Sequence, residues 1–504
     1  MQSAGYQWLI ENLELSVVPH HCRSYVTDKN IHRTVQQEGL TEEYYPKSKA
    51  LNDSVCGHLE FAVKNEGVNP AILKACFLKF DPSELVEYIQ KKPTGRFGRI
   101  LWFLYEELTE QRLDLPDLKQ GNYADLLDSK KYYTAPPVQY PRQRINMNLP
   151  GTLQMSPIIR RTQKTADCEA KKLNEKCEEI IANFPPELVA RAVNQMYLGE
   201  TRSSNQIENE VLSPERERRF KGLLEKAGTE RFLNQDGLLN LHRQIIVDPR
   251  FQTDCYRMTQ EYVGTGSLYT DPDIHFIPPR PEELSELMTA FYDCATRIME
   301  SDIHPVARAA TLSFLFVYLH PFRDGNGRLH RFLIHHVLAA TGFAPKGQIF
   351  PVSQVLRDNI QKYKEVLDTF SEPLMEIIRY TQDSTGHMTV QHDTSDCYRY
   401  IDLTAATELL FDAIEKTLDH DLIQQLNYLV GYDRAEKALT CLLDGMPGKD
   451  IELLIKLCGQ NGYKLSKNKK EKFFSMLTDQ EVRQAEQIIQ TAFESESPTQ
   501  TEEV

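Results

Sequence analysis

No run of eighteen apolar residues occurs in the chain, so no membrane-spanning helix is expected. The first ten residues lack a basic stretch leading into an apolar one, so no secretion signal is read there and a cytoplasmic protein is expected. Ten cysteines are present, yet none forms a C-x-x-C pair and the fourteen histidines do not join them at zinc-ligand spacing. Reduced thiols, not a metal site, are therefore the expectation. His335 and His336 are adjacent, point to different sides of a helix and cannot share one metal. Positive charge is not in excess: 58 Lys and Arg stand against 72 Asp and Glu, and the net charge of -14 argues against broad nucleic-acid binding. No internal repeat stands out, which removes solenoids and propellers. What is present is an ordinary globular mixture, 41% hydrophobic and 26% charged, and 504 residues are too many for one core, so two to four domains are expected.

The pattern along the chain is mainly α. Residues 1–118 are read as an amino-terminal helical region, with helical periodicity over 63–76 and 83–89, a helix start at Asp81-Pro82-Ser83-Glu84 and a buried helix over 98–108. Prolines and a Gly-Asn pair punctuate 119–164, which reads as a connector. A helical core is expected over 165–385. Pro185-Pro186-Glu187 opens a helix with Leu188, Val189, Ala192, Val193, Met196 and Tyr197 on one side, and a second helical stretch covers 203–210. Residues 256–279 are rich in Tyr, Val, Thr and Ile, broken by glycines, and read as a β-hairpin or flap. Helices are expected over 282–299, 305–319, 329–340, 359–367 and 374–380. The polar stretch 386–397 reads as a linker, 398–493 as a carboxy-terminal helical region, and 494–504 as a disordered tail. The basic run 464–472 reads as a solvated helix end.

The chemistry concentrates in His320-Pro-Phe-Arg-Asp-Gly-Asn-Gly-Arg-Leu-His-Arg331. Gly325-Asn326-Gly327 lies between two apolar helical patterns, so it is a tight turn feeding a helix N-terminus, where successive N–H groups converge on an anion. Arg328 and Arg331 follow, three apart and near neighbours on the first turns of that helix, and their planar forks suit phosphate oxygens. Asp324 among phosphate-binding groups would repel unless a cation intervenes, and Mg²⁺ bridging it to two phosphates is the economical answer. His320 is the nearby group that titrates near neutral pH, as a general base needs. Pro321 stops the preceding helix, and Phe322 reads as the loop's anchor in the core.

These residues resemble the signature of the Fic family, H-P-F-x-[D/E]-G-N-G-R-x-x-R, at every fixed position: His320, Pro321, Phe322, Asp324, Gly325, Asn326, Gly327, Arg328 and Arg331. The resemblance covers about residues 185–380 and implies a helical core with a hairpin flap. It implies transfer of AMP from ATP to a Ser, Thr or Tyr hydroxyl of a protein, with His320 taking the proton, Asp324 holding Mg²⁺, Gly325, Asn326 and Gly327 cradling the phosphates, and Arg328 and Arg331 binding the outer ones. The Doc branch carries Lys where Gly327 stands, so Gly327 favours AMP transfer. Ser204-Asn-Gln-Ile-Glu208-Asn209 is similar to the family's inhibitory pattern [S/T]-x-x-x-E-[G/N], in the subclass whose inhibitory helix precedes the core. Ser204 and Glu208 share one helix face. The resemblance implies that Glu208 pairs with Arg331 in place of the γ-phosphate. It also implies that residues 257–264 form the flap, with Tyr262, Val263 and Gly264 as contact candidates; the stretch 266–273 is longer than that flap requires. Tyr363 either lines the adenine pocket or sits in the core.

Three functions stay open at this point. The first is a self-inhibited protein adenylyltransferase, with removal of AMP as a second activity in which Glu208 aligns a water. The second is the same chemistry with another nucleotide or a phosphodiester donor. The third is a non-enzymatic helical regulator or scaffold. Expected partners are ATP and a protein target, and, by the family's habit, a second copy of the chain.

Overall fold

Apolar side chains gather into three large cores. One is built almost wholly from residues before 160, one from residues between Met155 and Leu429, and one from residues between Ala435 and Ala492. The computed structural model describes residues 1–37, 40–51, 54–208, 210, 213–246, 248, 250, 252–265, 273–345 and 347–494. The expected tail, apart from Glu494, lies outside these residues, as does Asn209.

The amino-terminal region is not wholly helical. Gln2–Ala4 pairs antiparallel with Cys22–Val26, which pairs parallel with Leu40–Tyr45, which pairs antiparallel with Arg33–Gln37. These strands carry Thr, Tyr and Val on short polar alternations, a period of two and not the helical one. Behind them lie Val55–Phe61, Pro70–Phe77, Pro82–Lys91 and Arg96–Thr109. The Asp81 carboxylate accepts the Ser83 N–H at 2.9 Å, as the sequence suggested. The helix expected over 63–76 is instead broken. A π-turn at Ala62–Glu66 runs into Gly67, whose φ of +111° no side chain tolerates, and Asn69 then caps a new helix.

The stretch read as a connector is built into the molecule. It contributes three short strands in the order Ala124–Asp125, Ile145–Met147, Val138–Tyr140, and Tyr132 and Tyr133 are buried. Its end laces onto the carboxy-terminal part: Ile158 N–H donates to Ile401 O at 2.9 Å, and Arg160 pairs with Asp402 at 3.0 Å.

The middle core is helical. Pro186–Ile207 is a single helix of 22 residues, so the stretch 203–210 is its last turn and beyond, not a second element. Leu284–Met299, Pro305–Leu319, Asn326–Ala340, Val352–Asp358 and Ile360–Met375 follow. Residues 374–380, read as a helix, instead end one at Met375 and begin a strand, Tyr380–Gln382. That strand pairs with Met388–Val390, inside the segment read as a linker, and buries Met388 and Val390. The carboxy-terminal helices split: Thr404–Lys416 packs in the middle core, whereas Ile423–Leu442 runs from that core into the last one. In the basic run, Lys464 pairs with Glu486 and Lys470 with Asp479. All ten cysteines are unpaired. Among the described residues no helix is long and apolar enough to cross a membrane.

The 186–207 helix is fastened by one buried carboxylate. Glu200 has no solvent exposure; it meets His335 Nε2 at 2.7 Å and accepts the Ser353 N–H at 2.9 Å and the Ser353 hydroxyl. It thereby joins this helix to the 326–340 and 352–358 helices. Removing one partner of such a buried network strands the other, so Glu200→Ala is expected to destabilise the fold by about 3 kcal/mol. Thermal unfolding checks this; a melting temperature equal to that of the parent would contradict it.

Candidate active site

The helix Pro305–Leu319 ends at His320, which turns into the left-handed region with φ +46° and donates its N–H to Phe316 O at 3.1 Å. Pro321 follows, so the helix cannot continue. The imidazole's pKa is pushed down to about 4, first by burial and then by the Arg257 guanidinium; a hydrogen bond to the Val317 backbone and the Asp324 charge oppose this. The imidazole is therefore neutral at physiological pH and able to accept a proton.

The loop after His320 is held from inside. Phe322 is fully buried, with the His242 ring stacked on it at 4.1 Å. The Asn326 side chain clamps the same residue, accepting the Phe322 N–H at 3.1 Å and donating to its carbonyl at 2.7 Å. Asn326 thus offers only its backbone to a ligand. His242 Nε2 lies 3.2 Å from the Asp324 carbonyl oxygen. Gly325, at φ +83°, is the N-cap of the helix Asn326–Ala340. The N–H groups of Asn326, Gly327 and Arg328 consequently open that helix and have no partner within it.

Both arginines are engaged by carboxylates. Arg331, nearly fully buried, donates from Nε to Ser204 Oγ at 2.7 Å and from Nη2 to Ser204 O at 2.8 Å and Glu208 Oε1 at 2.7 Å. Arg328 lies 3.1 Å from each of Glu208 Oε2, Glu210 Oε2 and Asp324 Oδ2. Its Nε contact with Glu208 is an ion pair that lacks hydrogen-bond geometry. Glu208 therefore bridges the two guanidiniums across the start of the helix. A Cβ on Gly327 would come within 2.2 Å of Glu208 Oε1, so only glycine admits the carboxylate there. Three carboxylates face two guanidiniums. Burial, with Glu208 and Asp324 nearby, raises the Glu210 pKa, which Arg328 and Arg216 oppose.

The hairpin lies beside this cluster in the chain's order. Val263–Thr265 pairs antiparallel with Asp273–Phe276, with a bulge between Val263 and Gly264. Val263 and Gly264 are exposed, and Tyr262 packs partly against the core. The long stretch after Thr265 lies outside the described residues up to Asp273. Tyr363 is buried beside Arg331 and Glu208, and its hydroxyl pKa is raised by burial. The structure thus brings His320, Asp324–Arg328, Arg331, Ser204, Glu208 and Tyr363 together. Glu210, Arg257, His242 and Glu200 were missed. Glu210, two residues after Glu208, could have been found as a second carboxylate beside the first; the others carry no local pattern.

Residues 232–338 match the Fic/DOC family. A protein adenylyltransferase Fic of Nematostella vectensis is 33% identical over 111 residues, which cover 22% of this chain and 24% of that protein. A protein adenylyltransferase Fic of Culex quinquefasciatus is 31% identical over 157 residues, 31% of this chain and 28% of that protein. The chain thus spans about a quarter of the length of the curated relatives it matches. A solved Fic family protein from Desulfovibrio desulfuricans, 18% identical, covers 66% of this chain and 86% of its own at a TM-score of 0.39. Ser204, Glu208 and Tyr363 lie outside the matched segment.

Proposed function

We propose that the protein moves AMP from ATP to a Ser, Thr or Tyr hydroxyl of a protein target and that Glu208 holds it in check. His320 takes the proton of the hydroxyl, whose oxygen attacks the α-phosphorus in line while pyrophosphate leaves. The N–H groups of Asn326, Gly327 and Arg328 stabilise charge on the phosphoryl oxygens, and Arg328 and Arg331 take the outer phosphates. Among the described residues no cluster of three or more His, Cys, Asp or Glu could hold a metal alone. One carboxylate, Asp324, 60% exposed, would hold a Mg²⁺ brought in with the triphosphate. Mg²⁺ supplies charge neutralisation on the triphosphate when bound.

The observation that carries the reading is Glu208 bridging Arg328 and Arg331 against Gly327. The arginines face carboxylate oxygens where phosphate oxygens would go, so ATP and Glu208 compete for one place. With AMP already on a target, the same carboxylate would align a water for its removal. The test is incorporation of α-labelled ATP with Mg²⁺ by the parent, Glu208→Gly and Glu208→Gly/His320→Ala chains; equal labelling in all three ends the reading. Of the two arginines of the site Glu210 holds only Arg328, its other partner being Arg216 at 3.4 Å, so Glu210→Ala should raise labelling less than loss of Glu208, by about threefold to tenfold. An increase larger than that of Glu208→Gly would reverse the assignment.

A further inference from the structure

We propose that Arg257 is a positioning residue that ties the backbone of His320 to both legs of the hairpin. The inference rests on the reading of His320 as base. Arg257 is 3% exposed, and among the described residues it pairs with no carboxylate within ion-pair distance. All three of its guanidinium nitrogens go to main-chain carbonyls. Nε donates to His320 O at 2.9 Å, Nη1 to Thr259 O at 3.0 Å, and Nη2 to Pro279 O. Its own N–H donates to Pro321 O at 2.8 Å. Burying a cation against neutral acceptors is costly, and burial indeed lowers the pKa of this guanidinium to about 10. An apolar side chain would fill the space without that cost. What the arginine adds is a planar fork able to hold three carbonyls in fixed relation.

Those carbonyls explain the choice. His320 sits at φ +46°, a conformation that persists in a side-chain-bearing residue only when its surroundings fix it. Arg257 fixes the carbonyls of both His320 and Pro321. Its other two acceptors stand on opposite legs of the hairpin, Thr259 before Val263–Thr265 and Pro279 after Asp273–Phe276. Gln260 Nε2 closes the same base by donating to Pro278 O at 2.9 Å. A displacement of the legs is thus passed to the His320 backbone through one rigid group. The charge of Arg257 also faces the imidazole, along with Asp324 and the Val317 carbonyl.

The test compares Arg257→Gln and Arg257→Lys in the Glu208→Gly chain. At saturating Mg-ATP, Arg257→Gln is expected to lower the self-labelling rate about 10²-fold, the cost of a misplaced reacting group, while the ATP Kd by calorimetry stays within about twofold. Arg257→Lys keeps the charge and part of the bonding, and should fall about tenfold. The acid limb of the pH–rate profile should move to higher pH in Arg257→Gln and stay in Arg257→Lys. The imidazole pKa from ¹³C-histidine NMR, assigned with His320→Ala, gives the same comparison without turnover. It decides the role of Arg257 even if the Glu208→Gly chain fails to label, which would sink the proposed function instead. An unmoved imidazole pKa in Arg257→Gln overturns the inference. So does a parallel loss of rate, ATP affinity and melting temperature in both variants, the mark of plain packing.

Discussion

Glu208→Gly is expected to raise the rate of self-labelling from α-labelled ATP by about 10²-fold, the factor that corresponds to a closed state favoured by roughly 3 kcal/mol. Glu208 Oε1 lies 2.7 Å from Arg331 and its Oε2 3.1 Å from Arg328, in a site where both guanidiniums are almost wholly buried. The charge-assisted hydrogen bond to Arg331 contributes about 1.5–3 kcal/mol, and the ion pair with Arg328 adds to it. Glycine leaves both arginines under-neutralised, so the unliganded variant should melt below the parent. Mg-ATP at about a hundred times its Kd should then restore roughly 2.7 kcal/mol. The parent, whose arginines are already engaged, should gain less from the same ligand. Equal thermal shifts in the two chains would mean that Glu208 and ATP do not compete.

His320→Ala, placed in the Glu208→Gly chain, should lower labelling by about 10³-fold, within the range a positioned general base supplies. ATP binding should persist, because the phosphate-facing groups lie on the helix that begins at Asn326 and not on His320. The imidazole pKa of about 4 sets the pH dependence. The base is neutral and competent above its pKa and lost as pH falls through it. The labelling rate should therefore be level from about pH 5 upward and drop near pH 4. A limb centred near 6.5, the ordinary histidine value, would mean that the imidazole is solvated and not buried beside Arg257.

The motif from His320 to Arg331 was legible because its parts are contiguous and one turn of chain places them in one spot. Ser204 and Glu208 were legible because four residues on a helix is one face. Arg257 was not, since its partner His320 is 63 residues away and a lone arginine after a tyrosine has no pattern. Glu200 meets residues 135 and 153 positions away, a relation only packing creates. The amino-terminal strands were hidden by polar composition, as in Leu40–Tyr45, where most side chains are only half buried. Met388–Val390 was hidden the same way: two buried apolar residues sit within a run that otherwise reads as loop. Ile423–Leu442 leaves one core for another around Gly431 without a break in the helix, so no interruption of the helical pattern marks the crossing.

The Glu200 anchor also decides how the site can open. With Glu200 clasped by His335 and Ser353, the rod from Pro186 cannot slide or swing as a body without tearing a dry carboxylate from its partners. Release of Arg331 is therefore confined to the chain that follows, from Ser203 to Glu208, a little over one helical turn. If Glu208 is the latch proposed above, its release would be a local fraying at the helix's end that leaves the surrounding scaffold in place.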